Sequence, residues 1–134
     1  MFKVLVVAKV ENSVLKVKIN SKQIFENYED SFSEEHECDI IYLEDGFKIL
    51  YDNCEVSYDN GKVFVNNNSV FMEIEVDNKN IAKMNTPYGV IDLEVIGEKI
   101  SFNRNPFCFE IRYAIKFGNT EQYINELQIL VLNN

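Results

Sequence analysis

Histidine, proline, glycine and tryptophan are scarce in this chain of 134 residues, which holds one, two, five and none of them. With His36 alone, a Ser–His–Asp or Cys–His nucleophile system has no other base to draw on. The glycines form no G-x-G-x-x-G or P-loop string, so no phosphate cradle is written in the chain. The three cysteines, Cys38, Cys54 and Cys108, leave at least one thiol unpaired and show neither Cys-x-x-Cys nor Cys/His ligand spacing. They read as ordinary apolar thiols in a reducing compartment, and the cytoplasm is the expected location. The apolar run within residues 1–9 is too short for a secretory core, and a lysine closes it. No later run approaches the roughly 20 apolar residues of a membrane helix.

Positive charge is also in deficit. Lys plus Arg number 13 against 22 Asp plus Glu, a formal net charge of −9. Phosphate binding needs a basic stripe and would meet net repulsion here, so nucleic acid is not an expected partner. The same sign disfavours an anionic membrane surface. The plainest reading of the excess acid is solubility.

What the chain does hold is packing material and short alternating runs. Hydrophobic residues make up 46% of it, with ten Phe and seven Tyr, which argues against disorder. A chain of this length buries roughly 68% of its unfolded surface, enough for a core without staples. One domain, 1–134, is expected.

Runs at 4–10 and 14–19 read as strands joined by a polar hairpin at 11–13. Residues 26–39 carry seven acids, with Ile24, Phe25, Tyr28 and Phe32 at helical spacing. A short helix and a loop over a barrel mouth both fit, and periodicity does not choose between them. The β signal then returns at 40–43, 47–51, 54–58 and 62–65. The last two are tied by Asp59-Asn60-Gly61, whose Asn-Gly tolerates positive φ at both positions. Further strands are read at 70–76 and 81–84. Ile91, Leu93 and Val95 share a face, and Gly97-Glu98 is expected to close a hairpin into Ile100 and Phe102. Phe109, Ile111, Tyr113, Ile115 and Phe117 line one face, opposed by Glu110, Arg112, Ala114 and Lys116. Residues 120–130 could begin a helix, but alternation of Leu127, Ile129 and Val131 favours a strand. Strands this short and numerous must curl to hide their edges. The expected class is all-β, an antiparallel barrel of roughly 8–10 short strands.

Thr86-Pro87-Tyr88-Gly89 is a rigid turn, with Pro87 presetting φ and Gly89 free to take a positive one. With its flanks, Met84-Asn85 before and Val90-Ile91-Asp92-Leu93-Glu94-Val95 after, it resembles the hallmark of the DUF1934 family, the YwiB-like small bacterial β-barrels. Glu110-Ile111-Arg112-Tyr113 resembles that family's Glu-x-x-Tyr strand, and Asn125-Glu126-Leu127-Gln128-Ile129 its closing Asn-x-Leu-x-Ile strand. The resemblance covers residues 46–132, and the acidic segment 26–39 departs from it. It implies a calycin-like, lipocalin-like barrel from a bacterial cytoplasm. The family has no settled activity, so no catalytic residue is carried over.

No residue set rises to a catalytic or metal assignment, and no cofactor is expected. His36 stands between Glu35 and Glu37 beside Cys38, but consecutive residues rarely converge on one metal. Asp92/Glu94 and Glu73/Glu75 could be spaced like glycosidase acids, and wet strand faces account for them better. Arg112 should face solvent in ion pairs, unless a bulge turns it inward toward a ligand carboxylate. The expected function is a binding module that holds a small apolar or amphipathic ligand inside the barrel. Phe47, Tyr51, Met72, Leu93, Phe109 and Tyr113 would form the wall, and Tyr88 is a further contact candidate on its turn. The alternative is a filled barrel acting through its acidic surface as a structural or protein-interaction protein, with 26–39 suited to a basic partner.

Overall fold

The computed structural model describes residues 6–8, 15–118 and 122–132. Every regular element in them is a strand: β1 Val6–Ala8, β2 Leu15–Ile24, β3 Glu29–Leu43, β4 Gly46–Tyr51, β5 Cys54–Asp59, β6 Lys62–Asn66, β7 Val70–Ile74, β8 Lys79–Thr86, β9 Gly89–Asn103, β10 Cys108–Phe117 and β11 Gln122–Val131. Hydrogen bonding runs β3-β2-β11-β10-β9-β8-β7-β6-β5-β4, and β4 pairs back to β3. Ten antiparallel strands therefore close a barrel, as the alternation required. β1 pairs with β3 on the edge opposite β4, the edge that β2 occupies further along, with Val6 opposite Tyr42. The expected hairpin partner, the strand after residue 14, instead pairs with β3 and β11. The hairpin turn 11–13 lies outside the described residues.

Burial follows the two-residue period. Phe109, Ile111, Tyr113 and Ile115 are all buried on β10, as are Val17 and Ile19 on β2 and Leu93 and Val95 on β9. Asn60 and Gly61 take φ of +50° and +89°, the left-handed pair expected of an Asn-Gly hairpin. The turns 44–45, 60–61 and 104–107 sit at one end of the barrel. Those at 25–28, 52–53, 67–69 and 87–88 sit at the other.

Two further expectations are overturned. The segment 26–39 is neither helix nor loop. β2 runs to Ile24, the Phe25 amide donates to the Tyr28 carbonyl at 2.9 Å, and β3 returns against β2 from Glu29↔Ile24 to Cys38↔Leu15. Its acids fall on both faces of a strand whose residues 29–37 are largely exposed, so they need no apolar alternation. Gly97-Glu98 closes no hairpin either: β9 is one strand of 15 residues. The glycine serves close backbone approach instead. Gly97 N donates to Glu75 O and Asp77 N to Gly97 O, both at 2.9 Å. A Cβ at residue 97 would lie 2.4 Å from Glu75 O. The next residue, Glu98, is the extra one of a β-bulge against Arg112/Tyr113.

Candidate functional site

The barrel interior is packed with rings. Phe47, fully buried, has Phe102, Phe107 and Phe109 each 4.9 Å away between centroids, and Tyr58 at 6.3 Å. These are the offset and edge-on spacings at which aromatic pairs attract. The loop after β9 seals that end. Phe107 tucks under the barrel, and Arg104 lies 5.1 Å over the Tyr42 ring while donating to the Leu43 and Gly46 carbonyls. Phe102, Tyr58 and Phe107 belong to this plug and were missed as a group, although three phenylalanines within eight residues, at 102, 107 and 109, signalled it.

The sequence candidates divide as follows. Phe47, Met72, Leu93, Phe109 and Tyr113 are all buried in the one core cluster. Tyr113 accepts a 3.3 Å hydrogen bond from Asn125 Nδ2, and burial pushes its hydroxyl pKa up to about 12. Tyr51 faces inward at the far end of β4 and opens onto a cleft. Tyr88 is apart from all of these. It is 99% exposed at the tip of the β8–β9 hairpin. Thr86 Oγ1 holds that turn by donating to Gly89 O at 2.7 Å and accepting from Tyr88 N at 3.2 Å, with Gly89 at φ +124°. The turn fixes strand register and presents the tyrosine outward.

Four surface clefts, of about 620, 610, 500 and 230 Å³, indent the described residues, and Tyr51 is the only one of the seven candidates to line any of them. The first arises because β3 outlasts β4. Their pairing stops at Asp39↔Leu50, after which β3 continues beside β2 while the chain turns at Asp52 and Asn53. Cys38, Tyr51, Cys54 and the Asn66–Asn68 turn line the resulting fork. His36 spans it: Nδ1 is 3.0 Å from Asp52 Oδ2, Nε2 is 3.0 Å from Glu34 Oε2, and the ring lies 4.8 Å from that of Tyr51. Both nitrogens face carboxylate oxygens, which only accept.

The fork is poorly suited to nucleophilic chemistry. Burial, then the charge of Asp39, pushes the Cys38 thiol up to about 11, and burial raises Cys54 and Tyr51 as well. A reactive cysteine needs the opposite, a lowered pKa in an electropositive setting. Among the described residues no group of three or more His, Cys, Asp or Glu is arranged to hold a metal.

The outer face carries ion pairs. Arg112 stays outside, bound to Glu98 at 2.8 Å and Glu126 at 3.5 Å. A bulge does lie beside Arg112, but it falls on β9, where it brings Glu98 to Arg112 and leaves the arginine facing solvent as expected. Asp92 pairs with Lys83, Glu94 with Lys79 and Glu73 with Lys62. A second outer cleft crosses β3, β2, β11 and β10. Ser33 donates to Asn20, Asn20 to Gln128 and Gln128 to Glu110, at 2.8, 2.8 and 3.3 Å.

The class defined by these features is a closed ten-strand antiparallel barrel, consistent with a calycin-like architecture, with an aromatic cluster in its core. Its fold is that of YwiB from Bacillus subtilis. The crystal structure of that protein superimposes with a TM-score of 0.68 over 87% of this chain and 89% of that one, at 11% identity. No family model and no curated protein matches the chain by sequence.

Proposed function

We propose that this protein is a non-enzymatic interaction module, a filled barrel that engages a protein partner through its acidic surface. The observation that carries the reading is the plug around Phe47. Rings crowd one another at 4.9 Å there, which supports a filled interior, and barrels of this size either fill with side chains or hold one small ligand. Membership of the DUF1934 family belongs to the same proposal, supported by the Thr86–Gly89 turn with its flanking strands and by the YwiB-like fold. Cytoplasmic residence is supported by three free thiols, of which Cys38 is buried.

One observation favours the interior-ligand reading. The fork cleft of about 620 Å³ reaches the inward-facing Cys38 and Tyr51, which gives a small amphipathic molecule an entrance. Titration with an environment-sensitive apolar dye separates the two. The filled barrel gives no saturable signal. Saturable binding that is displaced by fatty acid and lost in Tyr51→Ala would overturn it in favour of the ligand reading.

A further inference from the structure

The free edge of β3 deepens the surface reading, on which it rests. β2 covers one side of β3 from Glu29 to Cys38, and β4 covers the other side only from Asp39 onward. The Asp52 turn, held to His36, reaches as far as residue 36 on that side. From Glu29 to Glu35, no described residue pairs with the outer edge of β3. Seven residues of extended backbone thus present unmatched N–H and C=O groups at alternate positions, which is the template that an added strand completes.

The side chains define what can be added. Glu29, Asp30, Glu34 and Glu35 put carboxylates on both faces of this edge. Lys22 meets Glu29 at 3.5 Å and His36 meets Glu34 at 3.0 Å, and Asp30 and Glu35 have no ion-pair partner among the described residues. A second copy pairing edge to edge would set carboxylate against carboxylate, and like charges directly opposite repel. Charges on an edge are a common guard against self-association. A guard of one sign repels its own kind and admits the opposite. Apolar contact is at hand too, since Phe32 and Tyr28 are 51% and 60% exposed on and beside this edge.

We propose that the Glu29–Glu35 edge of β3 is a docking site for a lysine- or arginine-rich extended segment of a partner protein, which adds as a further strand beside β3. Backbone hydrogen bonds supply the pairing, Asp30 and Glu35 select basic side chains, and Phe32 accepts an apolar residue between them.

The test uses the full chain and three synthetic ten-residue peptides: alternating lysine and valine, the same peptide N-methylated at every second residue, and alternating glutamate and valine. The lysine peptide should bind saturably and slow hydrogen exchange of alternate amides between residues 29 and 35. The N-methylated and glutamate peptides should bind at least about tenfold more weakly, the first for lost backbone pairing and the second for charge. Asp30→Lys combined with Glu35→Lys, both exposed positions, should reverse the charge preference while core amides stay protected. Equal binding of the methylated peptide shows attraction by charge alone and overturns the proposal, as does absence of binding by all three. Protection of the same amides by concentration-dependent dimerisation would assign the edge to a second copy instead. If the dye titration finds the barrel filled and these peptides fail, surface action stands and this edge is excluded. If dye binding saturates, is displaced by fatty acid and is lost in Tyr51→Ala, the filled-barrel reading falls whatever the peptides do.

Discussion

Replacing Phe47 with alanine removes the ring on which the interior packing converges. Four aromatic neighbours contact it and water does not reach it. Truncation of such a side chain costs about 3–5 kcal/mol, the lost transfer energy plus a term for the hole that the neighbours fail to fill. Each kcal/mol lowers the melting temperature of a domain this size by about 3–6 °C, so the midpoint should fall by about 9–30 °C. Urea unfolding with near-ultraviolet dichroism reads both the loss and the loosening of the ring cluster. A second readout tests filling directly, because a dry apolar hole of about 150 Å³ can take up benzene. Benzene should raise the stability of Phe47→Ala and leave the parent unchanged. Phe47→Leu should lose less than half as much and gain less from benzene. A loss below about 0.5 kcal/mol, the ordinary range of surface changes, or equal stabilisation of parent and variant by benzene, would refute the filled interior.

Gly97→Ala should lose about 2–4 kcal/mol in the same assay. A Cβ there meets the Glu75 carbonyl at 2.4 Å, and moving that backbone strains two hydrogen bonds. A loss under about 0.5 kcal/mol, as at an unconstrained exposed site, would show that the close approach is not what the glycine provides. Arg112→Ala should cost at most about 1 kcal/mol, because its ion pairs with Glu98 and Glu126 are exposed; double-mutant cycles with Glu98→Gln measure the coupling. Stability should fall on alkaline titration. Burial raises the Cys38 thiol to about 11 and the Tyr113 hydroxyl to about 12, so the folded state keeps protons that the unfolded chain releases. Stability is intact below about 9 and is lost as pH climbs toward 11. Cys38→Ala should flatten the first part of that decline and Tyr113→Phe the later part; an unchanged slope in both would assign the loss to other groups.

The readable parts of the sequence were those where burial is one-sided. Along β10, Phe109, Ile111, Tyr113 and Ile115 point inward, with Glu110 and Arg112 outside, and the two-residue period disclosed strand, face and core together. Asn60-Gly61 was readable because its left-handed φ values are a local demand. Two long strands were not readable, for opposite reasons. β3 projects past the ring, so its first nine residues have little to bury and their polarity imitates a loop. β9 is interrupted by a glycine whose purpose lies 22 residues upstream, at the Glu75 carbonyl, a contact that no local pattern reveals. Of the six wall residues, Phe47, Met72, Leu93, Phe109 and Tyr113 are core residues and Tyr51 is half-buried at a cleft, since a two-residue period reports which side chains face inward. Whether inward means cavity or plug depends on how rings from Phe47, Phe102, Phe107 and Phe109 interlock across the barrel, and periodicity carries no information on that.

The mismatch between β3 and β4 links these observations. A strand of 15 residues facing one of six cannot be covered along its length, so closure of the ring itself creates both the fork and the free edge. Shortening β3 would remove the two together, yet the chain keeps β2 and β3 paired out to Ile24↔Glu29 and stacks Tyr28 on Phe25, and Phe25 on Tyr123, at 4.7 and 5.1 Å, to brace the projecting end. An extension serving only to close the barrel needs no such brace. On the proposed docking, a strand held extended, with one edge open and charged in a single sign, is already ordered for its partner, which lowers the entropic cost of binding.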